Sequence, residues 1–280
     1  MPMPDEKQPL VSICMGVRYQ RDGLFLLERA IRSIQTQVYS NWELLICERD
    51  SNQEAKIRLS VFAQEDPRIH ILDGTGTSGL PGQLNRCLKA ARGDWIARMD
   101  DDDVSAPNRL RVQMAYLQNH PWAAFVGCVA QMEREGRSEG IRRFSAAPEI
   151  KDFLFVQPFL HPTLLFRRPA LEAVGGYCEL ARCTGCEDYD LLLRLYEEGY
   201  RGGNVQEPLF TYTLPPLGSK KRTMALRWNE VKTRYVRFIS LGLLPGALPY
   251  VIKPILVGMI PERLLERIKA KRQGRESRSG

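Results

Sequence analysis

Along the first half of the chain the apolar positions follow two alternating regimes. Residues 10–17 (LVSICMGV), 42–47 (WELLIC) and 95–99 are short, largely apolar runs with the length of buried strands, and residues 68–72 read as a third strand between the last two. Between them apolar residues return at helical spacing. Leu24, Leu27, Ala30, Ile31 and Ile34 form one such face behind Asp22, a residue able to cap the helix, and residues 54–64 and 83–91 repeat the pattern. Strands alternating with helices imply right-handed βαβ units and a parallel sheet, whose ligands gather at the carboxyl ends of the strands. Further on the pattern predicts a helix over 107–120 started by Pro107, a strand over 123–132, and an exposed hairpin or loop over 133–143. Residues 161–166 (HPTLLF) read as another strand, followed by a short helix that ends at Gly175-Gly176. From Glu187 onward Leu191, Leu192, Leu195 and Tyr196 share a helical face.

Charge divides the chain more sharply than hydropathy does. The net charge of +7 is uneven: residues 220–280 hold 15 Lys and Arg against 4 Asp and Glu, whereas residues 1–219 hold 25 against 29. The basic character therefore belongs to the tail and argues against a nucleic-acid-binding catalytic body. With 280 residues the chain has room for one large α/β domain plus an appendage, here 1–219 and 220–280. Cys14, Cys47, Cys87 and Cys128 lie inside apolar runs and read as small core residues of a reducing compartment. Cys178, Cys183 and Cys186 offer three thiols with no fourth ligand near in sequence, so ordinary thiols in a loop are favoured over a zinc site or a redox pair. The first ten residues show no charged-then-apolar export pattern, which gives a cytoplasmic expectation.

Three segments carry chemistry. The run WIARMDDDD, residues 95–103, is a buried strand that ends in four consecutive carboxylates, Asp100 to Asp103. Such a density of like charge is costly unless it is solvated or holds a cation, and alternating acids such as Asp100 and Asp102 suit a hard divalent metal that in turn holds a phosphate. The loop Gly74-Thr75-Gly76-Thr77-Ser78-Gly79 matches GxGxxG, but it follows the third strand rather than the first, so it reads as a mobile loop near a nucleotide instead of a dinucleotide fingerprint. The third segment, CEDYDLLLRLYEEGY, crowds Glu187, Asp188 and Asp190 into a first helical turn. Acids there cap the helix dipole, or supply a general base at the lip of a cleft.

Taken in order, VSICMGVRYQ, IRSIQTQVYSNWELLICERDS, LNRCLKAARGDWIARMDDDDVSAPNRL, HPTLLFRRPALEAVGGY and CEDYDLLLRLYEEGY with its closing EPLFTY resemble an inverting family 2 glycosyltransferase, over roughly residues 10–213. The resemblance implies an α/β, GT-A (Rossmann-like) fold: a mixed, mainly parallel sheet flanked by helices, with a C-terminal helical extension. It also implies that Asp100 and Asp102 are the DxD pair holding Mn²⁺ or Mg²⁺ on the diphosphate of a nucleotide sugar, with Asp101 and Asp103 beside the donor. Glu187-Asp188 corresponds to the family's ED motif, with Asp188 the base that deprotonates the acceptor hydroxyl. Glu48 aligns with an acid that contacts base and ribose, and Asn85 and Arg86 with the region near the nucleotide. His161 and Arg167 fall on the acceptor side of the cleft, with a capped core histidine the alternative reading of His161. Arg49 departs from the family pattern of acids and puts the identity of the base in doubt, although a UDP-sugar is the expected donor. The rival readings are a sugar-phosphate nucleotidyltransferase, which the segment GVRYQRDG supports poorly, and a non-catalytic glycan-binding or scaffold protein on a transferase fold.

In the tail, residues 238–252 are uncharged and broken by Pro245 and Pro249, and Pro254 follows. This is too interrupted for a spanning helix. Residues 262–272 read as a short basic amphipathic helix. Apolar pieces flanked by Lys and Arg suit an anionic membrane surface, so residues 238–280 are read as a peripheral attachment on the cytoplasmic face, serving a glycan or lipid-linked acceptor. A tail packed on the body is the alternative.

Overall fold

In the computed structural model, residues 8–18, 23–216 and 222–259 are described. The chain divides into two compact units, Met1–Glu179 with Glu187–Ser219, and Leu180–Cys186 with Lys220–Gly280.

The first unit is built on one mixed sheet. Strands β1 (Val11–Arg18), β2 (Trp42–Arg49), β3 (Ile69–Asp73) and β4 (Trp95–Arg98) are the four apolar runs, and they pair in parallel in the order β3-β2-β1-β4. Strands β1, β2 and β4 are buried on both faces, which explains why they read as continuous apolar runs, whereas the edge strand β3 buries only Ile69 and leaves Ile71 and Asp73 exposed. Helices α1 (Leu24–Gln35), α2 (Gln53–Glu65) and α3 (Leu80–Ala90) make the crossovers. Asp22 lies outside the described residues; α1 follows Gly23. Asn52 caps α2 by accepting the Ala55 amide at 2.9 Å.

Beyond β4 the sheet turns antiparallel in part. The two-residue β5 (Val104–Ser105), α4 (Arg109–Asn119) and the long β6 (Ala123–Arg134) follow, and β6 turns back into β7 (Arg137–Arg142) as an exposed hairpin. Next come β8 (Leu165–Arg167), α5 (Arg168–Ala173), α6 (Glu187–Glu197) and β9 (Arg201–Thr213). Strand β8 pairs antiparallel with both β4 and β6, whereas β9 runs parallel to β6 and antiparallel to β5.

The 161–166 strand expected from the sequence is shorter than read. His161–Thr163 forms a single 3-10 turn and only Leu165–Arg167 is strand. Pro162 has no amide to offer a ladder. The Thr163 hydroxyl instead donates to the Leu160 carbonyl at 2.7 Å, and its amide bonds the same carbonyl at 3.0 Å. A side chain that competes for backbone in this way favours a turn.

The second unit holds a 3-10 turn, Ala181–Cys183, and helices α7 (Met224–Ser240) and α8 (Leu248–Met259). Thr223 caps α7 by accepting the Leu226 amide. Cys183 and Cys186 are buried here, and the Cys186 thiol donates to the Thr233 hydroxyl at 3.3 Å. The basic helix expected over 262–272 lies outside the described residues. Among the described residues no helix is long and apolar enough to cross a membrane.

Candidate active site

Four strand ends define the place. Parallel pairing aligns the carboxyl ends of β1 to β4, so Glu48, the 74–79 loop and Asp100–Asp103 come to one edge of the sheet. The first glycine of that loop is needed for its position. A Cβ at Gly74 would stand 2.3 Å from the Glu48 carbonyl oxygen, which accepts the Gly74 amide at 2.6 Å. Gln83, fully inside, donates to the carbonyls of Val17 at 2.8 Å and Cys47 at 2.7 Å, closing the β1 and β2 ends.

The acidic run is held from below and from the side. Arg98, 1 % exposed, ends β4 and its guanidinium donates to Asp100 Oδ1 and the Met99 carbonyl. Arg109, also buried, donates to the Arg98 carbonyl at 2.8 Å and the Pro162 carbonyl at 3.2 Å. At the end of β9 the Thr213 amide donates to Asp103 Oδ1 at 2.7 Å, and the Thr213 hydroxyl donates to the Asp102 carbonyl at 2.5 Å. Arg29 of α1 donates to that hydroxyl at 3.0 Å and to Glu133 at 2.6 Å.

Carboxylate oxygens of Asp100, Asp102 and Asp103 lie within 4.8 Å of one another. Their electrostatics are those of crowded, desolvated acids. Burial, then the charges of Asp100 and Asp102, push Asp101 up to about 7. Burial and Asp100 push Asp102 up to about 6, and burial holds Asp103 well above the carboxylate range. Asp103 has no exposed surface and its Oδ2 is buried without a hydrogen-bond partner. Three grouped carboxylates, one of them with a buried oxygen left without a partner, are a donor set of hard oxygens suited to Mg²⁺ or Mn²⁺.

Asp188 sits in the first turn of α6. Its Oδ1 accepts the Tyr189 amide at 2.8 Å and its Oδ2 accepts the Gln157 side-chain amide at 2.9 Å. Gln157 also donates to the Phe159 carbonyl at 3.1 Å, which fixes its amide plane. Glu187 opens the same turn. Tyr177 links this helix to the acidic run: burial pushes its phenol up, and the charges of Asp188 and Asp100 both add to that rise. The Tyr177 hydroxyl hydrogen-bonds His161 Nε2 at 2.9 Å, and burial followed by the Arg98 charge keeps His161 well below its usual range, hence neutral.

The remaining sequence candidates have other partners. Glu48 Oε1 accepts the Ser51 amide at 3.3 Å, with Lys56 4.0 Å from Oε2. Asn85 clamps the 177–179 segment, donating to the Tyr177 carbonyl at 2.8 Å and Glu179 at 2.7 Å and accepting the Tyr177 amide at 2.8 Å. Arg86 donates to the carbonyls of Asp73 and Thr75, and Arg49 to that of Thr77 at 2.7 Å, so both brace the glycine loop. Arg167 lies opposite Trp95, at the far end of β4 from Asp100, where it donates to the Leu117 and Ala123 carbonyls. Arg29, Arg98, Gln157, Tyr177 and Thr213 were not read from sequence as site residues. Only Arg98 carries a visible signal, a charged residue placed inside a buried strand.

A curled, mostly parallel sheet flanked by helices, with a carboxylate cluster at its strand ends, is the layout of the GT-A fold. The Glycosyl transferase family 2 model matches residues 21–175. The putative glycosyltransferase EpsE of Bacillus subtilis (strain 168) is 33 % identical over 266 residues, 94 % of each chain. The putative colanic acid biosynthesis glycosyl transferase WcaA of Escherichia coli (strain K12) is 36 % identical over 205 residues, 72 % of this chain and 71 % of WcaA. Among solved structures, the mannosyltransferase PcManGT of Pyrobaculum calidifontis, in complex with GDP-Man and Mn²⁺, superposes with a TM-score of 0.61 at 19 % identity, over 94 % of this chain and 80 % of that one. The chain belongs to glycosyltransferase family 2 and is a glycosyltransferase.

Proposed function

We propose that the protein moves a sugar from a nucleotide-sugar donor to an acceptor hydroxyl with inversion, depends on a divalent cation, and serves the assembly of a cell-surface polysaccharide or glycolipid. The observation that carries this reading is the trio Asp100, Asp102 and Asp103 at the β4 end, with the partnerless buried Oδ2 of Asp103 among its oxygens. Asp100 and Asp102, backed by Asp103, would hold Mn²⁺ or Mg²⁺. When bound, that ion would neutralise charge on the departing nucleoside diphosphate.

The chain's own groups supply the rest. Asp188 takes the proton of the acceptor hydroxyl as that oxygen attacks the anomeric carbon; a carboxylate at a helix N-terminus, oriented by an amide on each oxygen, is suited to this task. Glu187 supports the same turn. Glu48, at the β2 end, is assigned to the base and ribose of the donor, Asp103 to the metal's surroundings or the sugar, and Asp101 to the nucleotide-sugar site at large. Asn85 and Arg86 act through the loop and the 177–179 segment they hold. Residues 1–219 form the transferase domain under this reading, and the tail from 220 a separate element that keeps the protein peripheral on the cytoplasmic face of the membrane, where a lipid-linked acceptor would be met. The likeness to WcaA, named for colanic acid biosynthesis, supports the polysaccharide setting, and the PcManGT complex supports a metal and a nucleotide sugar.

Donor hydrolysis over a panel of UDP- and GDP-sugars, with Mn²⁺, Mg²⁺ or chelator, identifies the donor. Asp188→Asn is then expected to lower transfer by about a thousandfold while donor affinity changes by less than about threefold. Full transfer by Asp188→Asn would remove it as the base, and turnover unaffected by chelator would remove the cation.

A further inference from the structure

We propose that the second unit docks on an anionic lipid surface through an apolar face of α8. Leu248, Ile252, Leu256 and Met259 stand at i, i+4, i+8 and i+11, one side of a helix, and are 46, 45, 57 and 73 % exposed. Another side of α8 is occupied: Val251 and Pro254 are buried, and Arg227 of α7 donates to the Pro254 carbonyl at 3.0 Å. The helix is therefore apolar both where it packs and where it faces outward, with Lys253 its single charge. A helix apolar all round belongs in a core or in lipid. At 12 residues α8 is too short to span a bilayer, which leaves the interface.

Helix α7 presents a second exposed row, Met224, Trp228, Tyr235 and Ile239, with Lys232 between them. Indole and phenol rings beside a lysine stem suit headgroup depth. Charge selects the occupant. Residues 220–280 hold 15 Lys and Arg against 4 Asp and Glu, so a second copy of this unit would be repelled, whereas anionic headgroups would be attracted. Docking at α8 rests on the peripheral-membrane reading of the tail and names the face that makes the contact; it does not depend on which residues perform transfer, so it can fail without touching the catalytic reading, and the reverse.

The full chain is tested by co-flotation with vesicles of phosphatidylcholine alone and of phosphatidylcholine with about one-third phosphatidylglycerol. Binding is expected only to the anionic vesicles and should weaken as salt rises. The pair Ile252→Asn and Leu256→Asn is expected to lower partitioning at least about tenfold, with circular dichroism and donor hydrolysis unchanged. Leu256→Gln alone, at a position 57 % exposed on the proposed face, is expected to lower it about threefold to tenfold and serves as the deciding variant if the pair misfolds. Equal binding to neutral vesicles, no binding to either, or undiminished binding by both variants would overturn the proposal. So would light scattering that shows the wild type as an oligomer which the pair converts to monomer, since the face would then belong to a second copy.

Discussion

Replacing Asp101 by Asn should stabilise the cation-free protein, and only above the pH at which carboxylates ordinarily ionise. Asp101 is pushed from the usual 3.8 up to about 7 by burial and by Asp100 and Asp102. At pH 3 and below it is protonated in both folded and unfolded chains and has almost no effect on stability. Between pH 4 and 7 the unfolded chain loses this proton while the folded chain keeps it, so stability falls across that window and stays low above it. A difference of about 3 units corresponds to roughly 4 kcal/mol. The side chain keeps part of its surface in water, and the neighbouring charges can relax, so about half of that, ~2 kcal/mol, is the expected gain for Asp101→Asn at pH 8. For a domain of this size ~2 kcal/mol raises Tm by about 4–8 °C. Thermal unfolding of both proteins in chelator at pH 3 and pH 8 measures it, with the gain expected at pH 8 and nearly absent at pH 3. Saturating Mn²⁺ should shrink the difference at pH 8, because a cation among these carboxylates offsets the same repulsion. A gain equal at both pH values, or a loss of stability at pH 8, would refute the account of this cluster as desolvated and mutually repelling.

Two further substitutions test how the site is supported. Gln157→Leu removes the amide 2.9 Å from Asp188 Oδ2; kcat should fall about tenfold to a hundredfold with donor KM little changed, as expected for losing a hydrogen bond to a charged group, and an unchanged kcat would make Gln157 a bystander. Gly74→Ala places a methyl 2.3 Å from the Glu48 carbonyl oxygen, so the β2 end and the loop must separate; a loss of about 1–3 kcal/mol in denaturant unfolding and a raised donor KM are expected, and wild-type values for both would show that the loop does not need the close approach.

The residues say which features could be read in advance. Strands β1, β2 and β4 were legible because burial on two faces leaves continuous apolar runs, β3 because Ile69, Ile71 and Leu72 keep a strand-length apolar share at the sheet edge, and the crossover helices because helical faces leave a period. Asp100–Asp103 stood out because four acids ending an apolar run violate the usual cost of burying charge, a local contradiction that sequence displays directly. His161 and Arg167 were less legible. Their position was evident, but a neutral histidine bonded to Tyr177 and an arginine bonded to two carbonyls differ from ligand-facing residues only in their surroundings.

By itself, then, the sequence determined the βαβ order, the strand that ends in acids and the helix that begins with Glu187 and Asp188, since each depends on neighbours within one or two turns of chain. Tertiary structure decided what orders and completes those acids. Thr213 reaches Asp102 and Asp103 across 111 and 110 residues, Gln157 reaches Asp188 across 31, and Arg29 reaches Thr213 across 184. Such hydrogen bonds impose no period and no composition on the chain; they exist only because sheet pairing and helix packing bring distant backbone and side chains within 3 Å or so of one another.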